Sequence, residues 1–281
     1  MALLPTEAPK GFPLVSVTLV TFNSARYIER CLQSVLAQSY PNFEVIVVDN
    51  HSKDATPELL ERHRQSVRII KNGKNLGFAV GQNQAIAQSN GEWILTLNPD
   101  TLLHPDFVRD LVDASQVDSK VGCVCGKLLR IGFDFIPMRA KEIDSTGIFF
   151  TPNFRHLDRG WRQIDEGQYD RAEYVFGASA AAALYRREMI NDVSHDDGFF
   201  DPDFFAYRED ADVAWRAQLM GWRCLYTPVA VAHHVRTVVP DRRRSVSRTR
   251  GPSGKCASSF RICGAPISAT RRSISSAKSC W

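Results

Sequence analysis

The stretch LVSVTLVTFNSARYIERCLQSVLAQSY, residues 14–40, with FEVIVVDN, residues 43–50, just beyond it, decides the architecture. Leu14 to Phe22 is an almost unbroken β-branched and apolar run, the pattern of a strand covered on both faces. Asn23 or Ser24 can cap the helix that follows. In that helix Ile28, Cys31, Leu32, Val35 and Leu36 recur at i, i+3, i+4, i+7 and i+8 and form one apolar stripe. Phe43 to Val48 is a second apolar run and ends at Asp49. Working outward, Thr56-Pro57 opens a helix with proline at the first helical position. Val67 to Ile70 reads as a short strand and Gly77 to Gln88 as a helix of small residues. Trp93 to Leu97 reads as a fourth strand, ending in Asn98-Pro99-Asp100, and Pro105 to Ala114 as a helix. This alternation predicts βαβ units with right-handed crossovers. The fold class is therefore α/β, with a Rossmann-like, mostly parallel sheet flanked by helices. Open sheets of this kind bind ligands beyond the carboxyl ends of their strands. Thr21–Asn23, Asp49–Asn50 and Asn98–Asp100 all fall at such ends and are expected along one rim.

Residues 121–183 carry a mixed signal of short strands and loops, with Cys123 and Cys125 on one face of a strand. Asp210 to Met220 reads as a helix stopped by Gly221. Cys224 to Val231 reads as a strand, with His233-His234 after it. The expected organisation is an N-terminal extension (1–13), one large domain (14–240) and a basic tail (241–281). No internal repeat is present. The chain has 281 residues and a net charge of +4. Residues 241–281 hold eight arginines and two lysines against Asp241, so the preceding residues carry −5. A mildly acidic domain gives no reason to expect nucleic acid as a partner. No run approaches the roughly 20 apolar residues of a membrane span, and Met1 to Lys10 lacks the pattern of a secretory signal. The seven cysteines are scattered and odd in number. They read as small buried hydrophobes in a reducing, cytoplasmic setting.

Several residues carry chemistry. Asp49, at a strand end, can accept the imide N–H of a uracil or thymine, or serve as a turn residue. Asp100 can hold a hard divalent cation through oxygen, or close a turn after Asn98-Pro99. Glu209, Asp210 and Asp212 put three carboxylates at a helix start, where the macrodipole favours them. Their mutual repulsion can also raise one pKa into the range of a general base. His233 and His234 can contribute to a metal or phosphate site, or lie on the surface.

In order along the chain, VTLVTFNSARYIERCLQSVLAQSY, FEVIVVDNHSKDAT, NLGFAVGQNQAIAQSNGEWILTLNPDT, FGASAAAALYRREMI, GFFDPDFFAYREDADVAWRAQLMGWR and HHV together resemble the family 2 glycosyltransferases of GT-A fold. Within them they resemble the rhamnosyltransferase-like branch. The resemblance runs from Leu14 to Val235. It implies a nucleotide-sugar-binding half (14–120) and an acceptor-binding, catalytic half (121–240). It implies that Thr21, Asn23 and Asp49 line the nucleoside edge, with Asp54 in the same loop, and that Asn75, Gly77 and Asn83 flank the diphosphate. Asn98-Pro99-Asp100 stands where the family has Asp-x-Asp. Asn98 replaces the first Asp, which bears on metal affinity, and Asp100 is the direct ligand of Mg2+ or Mn2+. Asp210 is the implied general base and Glu209 its orienting neighbour. His233 or His234 matches a late histidine beside the diphosphate and cation.

The implied activity is inverting, metal-dependent sugar transfer in polysaccharide and cell-wall synthesis. The sugar would go to a hydroxyl of a glycan or lipid-linked acceptor. The branch suggests dTDP-L-rhamnose as donor, with UDP-hexose or UDP-galactofuranose as alternatives. The enzyme would act at the cytoplasmic face of a membrane, through peripheral association. A catalytically inactive nucleotide-sugar binder is the rival, because Asn98 and the tail both depart from the family. Relatives continue past the histidines with helical, apolar-patterned sequence. Here that pattern stops near Val239, and the Ser/Arg-rich run reads as frame-shifted. A dinucleotide oxidoreductase needs a G-x-G-x-x-G turn, whereas the first turn is Thr-Phe-Asn-Ser-Ala-Arg, residues 21–26.

Overall fold

A computed structural model of the chain describes residues 11–236, so the expected basic tail lies outside the described residues. The chain divides into a large unit, 1–151 with 155–237, and a small one, 152–154 with 238–281, of which only the turn at 152–154 is described. The elements in chain order are β1 (Val15–Thr21), α1 (Ile28–Leu36), β2 (Phe43–Asp49), α2 (Thr56–Arg62), β3 (Arg68–Lys71), α3 (Gly77–Ala87), β4 (Trp93–Leu97), β5 (Thr101–Leu103), α4 (Phe107–Ala114), β6 (Val121–Arg130), β7 (Ile143–Ser145), β8 (Ile148–Phe150), β9 (His156–Asp158), β10 (Glu173–Val175), β11 (Ala182–Arg186), α5 (Arg187–Val193), α6 (Glu209–Leu219) and β12 (Arg223–His234). The main sheet runs β10-β12-β6-β11-β4-β1-β2-β3, with β5 beside β12 and β7 beside β6. Pairings from β4 through β3 are parallel, as is β12 with β6, while β11 lies antiparallel between β4 and β6.

Both faces of this sheet are covered, which is why its strands read as continuous apolar runs. Val15, Val17 and Leu19 of β1 pack with Ile28, Leu32 and Val35 of α1 and with Phe107 and Leu111 of α4. On the other face Val20 and Val48 meet Ala85 of α3, and Ile94, Cys123 and Tyr185 meet Met189 of α5 and Val213 of α6. Register then fixes the rim. Thr21 stands opposite Asp49, and Leu19 opposite Leu97. The residues that follow these strands therefore emerge on one edge of the sheet.

Three local expectations are corrected. Helix α1 begins at Ile28 after Tyr27, with no side-chain cap. Ser24 contributes its carbonyl, which accepts the Tyr27 and Ile28 N–H groups at 2.8 and 2.9 Å. Residues 121–183 hold a ten-residue strand, β6, rather than only short pieces. Nine of its ten residues are buried, so the period-2 signal is lost between two apolar faces. Finally, β12 runs on through His234, placing both histidines inside a strand. At the end of α6, Gly221 (φ +81°) donates to the Gln218 carbonyl at 3.1 Å and Trp222 to that of Ala217 at 2.9 Å, the Schellman stop expected there.

Gly77 ties the two halves of the rim. Its φ is +85°, and a Cβ there would fall 2.5 Å from the Phe205 carbonyl oxygen. That oxygen accepts the Phe78 N–H at 2.6 Å, while the Gly77 carbonyl accepts the Asn50 side-chain N–H at 2.9 Å. Gly77→Ala is expected to cost about 1–3 kcal/mol, read as a Tm lower by roughly 2–8 °C in thermal unfolding. An unchanged Tm would contradict this close approach.

Candidate active site

At the ends of β1 and β2, buried Asp49 accepts the Ser52 N–H (3.2 Å) and hydroxyl (2.5 Å) at Oδ1. Ser52 Oγ accepts the Asn23 N–H at 2.9 Å, and Asn23 Oδ1 accepts the Lys53 N–H at 2.8 Å. Exposed Asp54 closes the same loop, accepting the Ala25 and Thr56 N–H groups at 3.0 Å each. Burial pushes its carboxyl pKa up, but the hydrogen bonds from Thr56 and Ala25 outweigh it and hold it low. The Thr21 hydroxyl is buried and has no hydrogen-bond partner. Thr21, Asn23, Asp49 and Asp54 are thus brought together. Asn75 Oδ1 accepts the Gly77 N–H at 2.9 Å, at the start of α3. Asn83 faces elsewhere. Its amide accepts the Phe200 N–H at 2.9 Å and donates to the Phe200 carbonyl at 2.7 Å, clamping that loop.

The second cluster gathers around His234. Strand alternation separates the two histidines. His233 is half-buried against His104, with ring centroids 6.2 Å apart, and burial lowers its pKa. His234 turns inward, with Nε2 3.2 Å from Asp100 Oδ1 and Nδ1 2.8 Å from Asp144 Oδ2. Asn98 Nδ2 lies 3.4 Å from the same Nε2. Burial disfavours the imidazolium, but Asp100 and Asp144 outweigh it and raise the pKa to about 10. Asp144 is 1% exposed. Burial raises its pKa, but His234 and then Arg236 hold it low. Arg236 pairs with Asp144 at 3.1 Å and with Asp158. Asp144, Asp158 and Arg236 carried no signal in the sequence. Asp144 reaches His234 from a segment with no clear periodicity, 90 residues away in the chain, and Arg236 links Asp144 to Asp158.

The third cluster opens α6. Phe205, Tyr207 and Arg208 all have positive φ (57°, 72° and 77°), so the approach to the helix is held in a costly conformation. Glu209 is 6% exposed, and its Oε2 has no hydrogen-bond partner. Burial, then the charge of Asp210, pushes its pKa up to about 8. Burial, then Asp158, pushes Asp210 up to about 6, while the Ala180 and Ala211 N–H groups restrain the rise. Burial thus raises both adjacent carboxyls above the usual carboxylate range, toward the range of a general base. The Ala180 N–H donates to Asp210 Oδ2 at 3.3 Å, and the next residue, Ala181, accepts the Asn98 N–H at 2.9 Å. Two consecutive residues thus join the Asn98-Pro99-Asp100 turn to Asp210.

Among the described residues no helix is long and apolar enough to cross a membrane, and no three His, Cys, Asp or Glu side chains form a metal-holding group. The family model "Glycosyl transferase family 2" matches residues 16–194. The N-acetylglucosaminyl-diphospho-decaprenol L-rhamnosyltransferase of Mycobacterium tuberculosis is 28% identical over 242 residues, which cover 79% of this chain and 76% of the relative. The poly-β-1,6-N-acetyl-D-glucosamine synthase of Staphylococcus aureus is 26% identical over 77% of this chain and 48% of its own. Among solved structures, the mannosyltransferase of Pyrobaculum calidifontis in complex with GDP-Man and Mn2+ aligns with a TM-score of 0.57 at 24% identity. The alignment covers 85% of this chain and 62% of the mannosyltransferase. GalNAc-T7 with UDP, GalNAc and Mn2+ aligns with a TM-score of 0.63 at 15% identity, over 80% of this chain and 44% of its own. These structural likenesses carry the GT-A fold.

The raised carboxyls make stability pH-dependent. Their folded-state pKa values lie above the unfolded ones, so the folded chain binds more protons. The stability they contribute is complete below the ordinary carboxylate range and is lost as pH rises through about 6 and about 8. Urea denaturation at acidic and alkaline ends of that window should show wild type losing roughly 2–4 kcal/mol more than Glu209→Gln. Equal losses would contradict the buried, raised state of Glu209.

Proposed function

Because the chain belongs to glycosyl transferase family 2, we propose that it moves a sugar from a nucleoside diphosphate donor to an acceptor hydroxyl, with Asp210 as general base. The observation that carries this reading is the Ala180–Ala181 link, which ties the base to the turn bearing Asp100. Asp210 removes the acceptor proton as the hydroxyl oxygen forms its bond to C1 of the sugar. The bond from C1 to the diphosphate oxygen breaks on the opposite side, inverting the anomeric centre. Burial and the neighbouring charge of Asp210 raise the Glu209 carboxyl, which favours its holding a proton beside the base. Asp49, with Ser52 and Asn23 holding it, receives the nucleoside base.

The residues at the rim fit a divalent cation. Asp100 offers an oxygen donor, and His234 Nε2, 3.2 Å away, offers a nitrogen once a cation displaces the proton that the flanking carboxylates hold there. The Asp144 carboxylate on Nδ1 is the partner that a ligating imidazole requires. Asp100 and His234 would hold the cation, which would neutralise charge on a bound diphosphate. A cation bound there supplies Lewis-acid stabilisation of the departing diphosphate. The mycobacterial relative's name supports L-rhamnose as the sugar and a lipid-linked acceptor, and the branch resemblance suggests dTDP as its carrier. Such an acceptor places the enzyme peripherally at the cytoplasmic face of a membrane.

Asp210→Asn should lower kcat by roughly 10^2–10^4 while donor affinity, measured by calorimetry with Mn2+, stays within about threefold. Wild type that binds donor and never turns over would make the chain a nucleotide-sugar binder. Asp144→Asn should weaken Mn2+ binding roughly 10–100-fold, read by electron paramagnetic resonance without turnover. Unchanged Mn2+ affinity would remove His234 from the cation site.

A further inference from the structure

Among the described residues, the segment between β6 and β7 presents largely exposed apolar side chains, with only the Arg26 guanidinium over the Phe133 ring, 5.4 Å from its centroid. Phe133 is 55% exposed, Ile136 62% and Met138 42%, with Pro137 exposed between them. This presentation is built by the loop's own anchors. Phe135, the one buried aromatic in the segment, packs edge-on against Tyr27 with ring centroids 5.7 Å apart. Asp134 pairs with Arg26, and its carbonyl accepts from Arg30 at 2.6 Å. Asp134 and Phe135 both have positive φ, 60° and 58°, and the Gly132 N–H closes on the Ile136 carbonyl at 2.9 Å. The loop spends conformational energy to hold Phe135 in and to turn Phe133, Ile136 and Met138 out.

Two further observations identify the occupant. Exposed Arg26 and Arg30 flank Asp134, and exposed Arg139 and Lys141 follow the tip in the chain, so the apolar side chains are bordered by basic ones. In addition, the loop is rooted at the reaction centre. The Ile131 N–H donates to the His234 carbonyl at 3.1 Å, and Ile131 packs with Tyr27, Phe135 and Val235. A few apolar side chains in a basic collar are far short of the ~800 Å² per partner that a stable protein interface buries. They do suit shallow insertion among acyl chains, with the collar on anionic headgroups.

We propose that this loop is a membrane-docking element that seats the catalytic rim on an anionic lipid surface. The inference deepens the reading of a lipid-linked acceptor: a rim held at the headgroups meets a hydroxyl presented there.

The test is sedimentation of the full chain with phosphatidylcholine vesicles, with and without phosphatidylglycerol, in about 0.3 M NaCl, where contacts made by charge alone are screened. Wild type should partition to the anionic vesicles, and the triple variant Phe133→Ser, Ile136→Ser, Met138→Ser should lose roughly fivefold or more of that partition. Its Tm and its calorimetric donor affinity should stay at wild-type values. Arg139→Glu with Lys141→Glu should weaken binding to anionic vesicles more than to neutral ones. Partition equal in wild type and triple variant, or no wild-type partition, overturns the proposal. So does a concentration-dependent dimer that the triple variant abolishes without any lipid effect, because the occupant is then a second copy. Donor binding and hydrolysis are read without vesicles, so a chain that turns over donor and ignores lipid refutes the docking element alone.

Discussion

The structure turns on one buried imidazole held between two carboxylates. His234 reaches Asp100 with one nitrogen and Asp144 with the other, and both acids are all but sealed from water. Charges this deep persist only when paired, because the desolvation cost of an isolated ion far exceeds any single contact. The pairing therefore fixes where three separate pieces of backbone must lie: the turn after β4, the strand β7 and the end of β12. Arg236 extends the same network to Asp158 on β9. Edge strands that contribute little core are thus positioned by charge, and the rim of the sheet becomes a rigid cradle.

That cradle separates two kinds of acid. Asp144, paired with His234 and Arg236, is held below the usual carboxylate range, whereas burial pushes Glu209 and Asp210 above it. The same residue type therefore supplies charge at one spot and basicity at another, set by environment. The short link through Ala180 and Ala181 keeps the two regions adjacent without merging them. The positive φ values at Phe205, Tyr207 and Arg208 show that the approach to α6 is held against local preference. Strain of this kind is retained where the geometry it enforces matters.

Much of this was legible in the chain. The strands ending at Thr21, Asp49 and Leu97 announced themselves by unbroken apolar runs, and parallel βαβ logic alone put their ends on one edge. Asp100 stood out after a clear strand signal and Asp210 at the start of a clear helix signal. What stayed hidden depended on contacts between distant residues. Asp144 looks like any other acid in an irregular stretch, and only the folded pairing with a residue 90 positions away distinguishes it. β6 was blurred because burial on both faces erases alternation. Asn83, expected beside the diphosphate, holds the Phe200 backbone through both atoms of its amide, a long-range contact that no local pattern reveals.

The central claim is that Asp100 and His234 form one side of a cation site and Asp210 the other side of the same reaction centre. Anomalous diffraction at the manganese edge, from crystals grown with Mn2+ and a nucleoside diphosphate, tests it most directly. The account predicts one peak roughly 2.0–2.3 Å from both Asp100 and His234 Nε2, with the diphosphate on its open side and the Asp210 carboxylate facing the same space. A peak away from this pair, or a diphosphate bound with Asp210 turned out of its cleft, would contradict it.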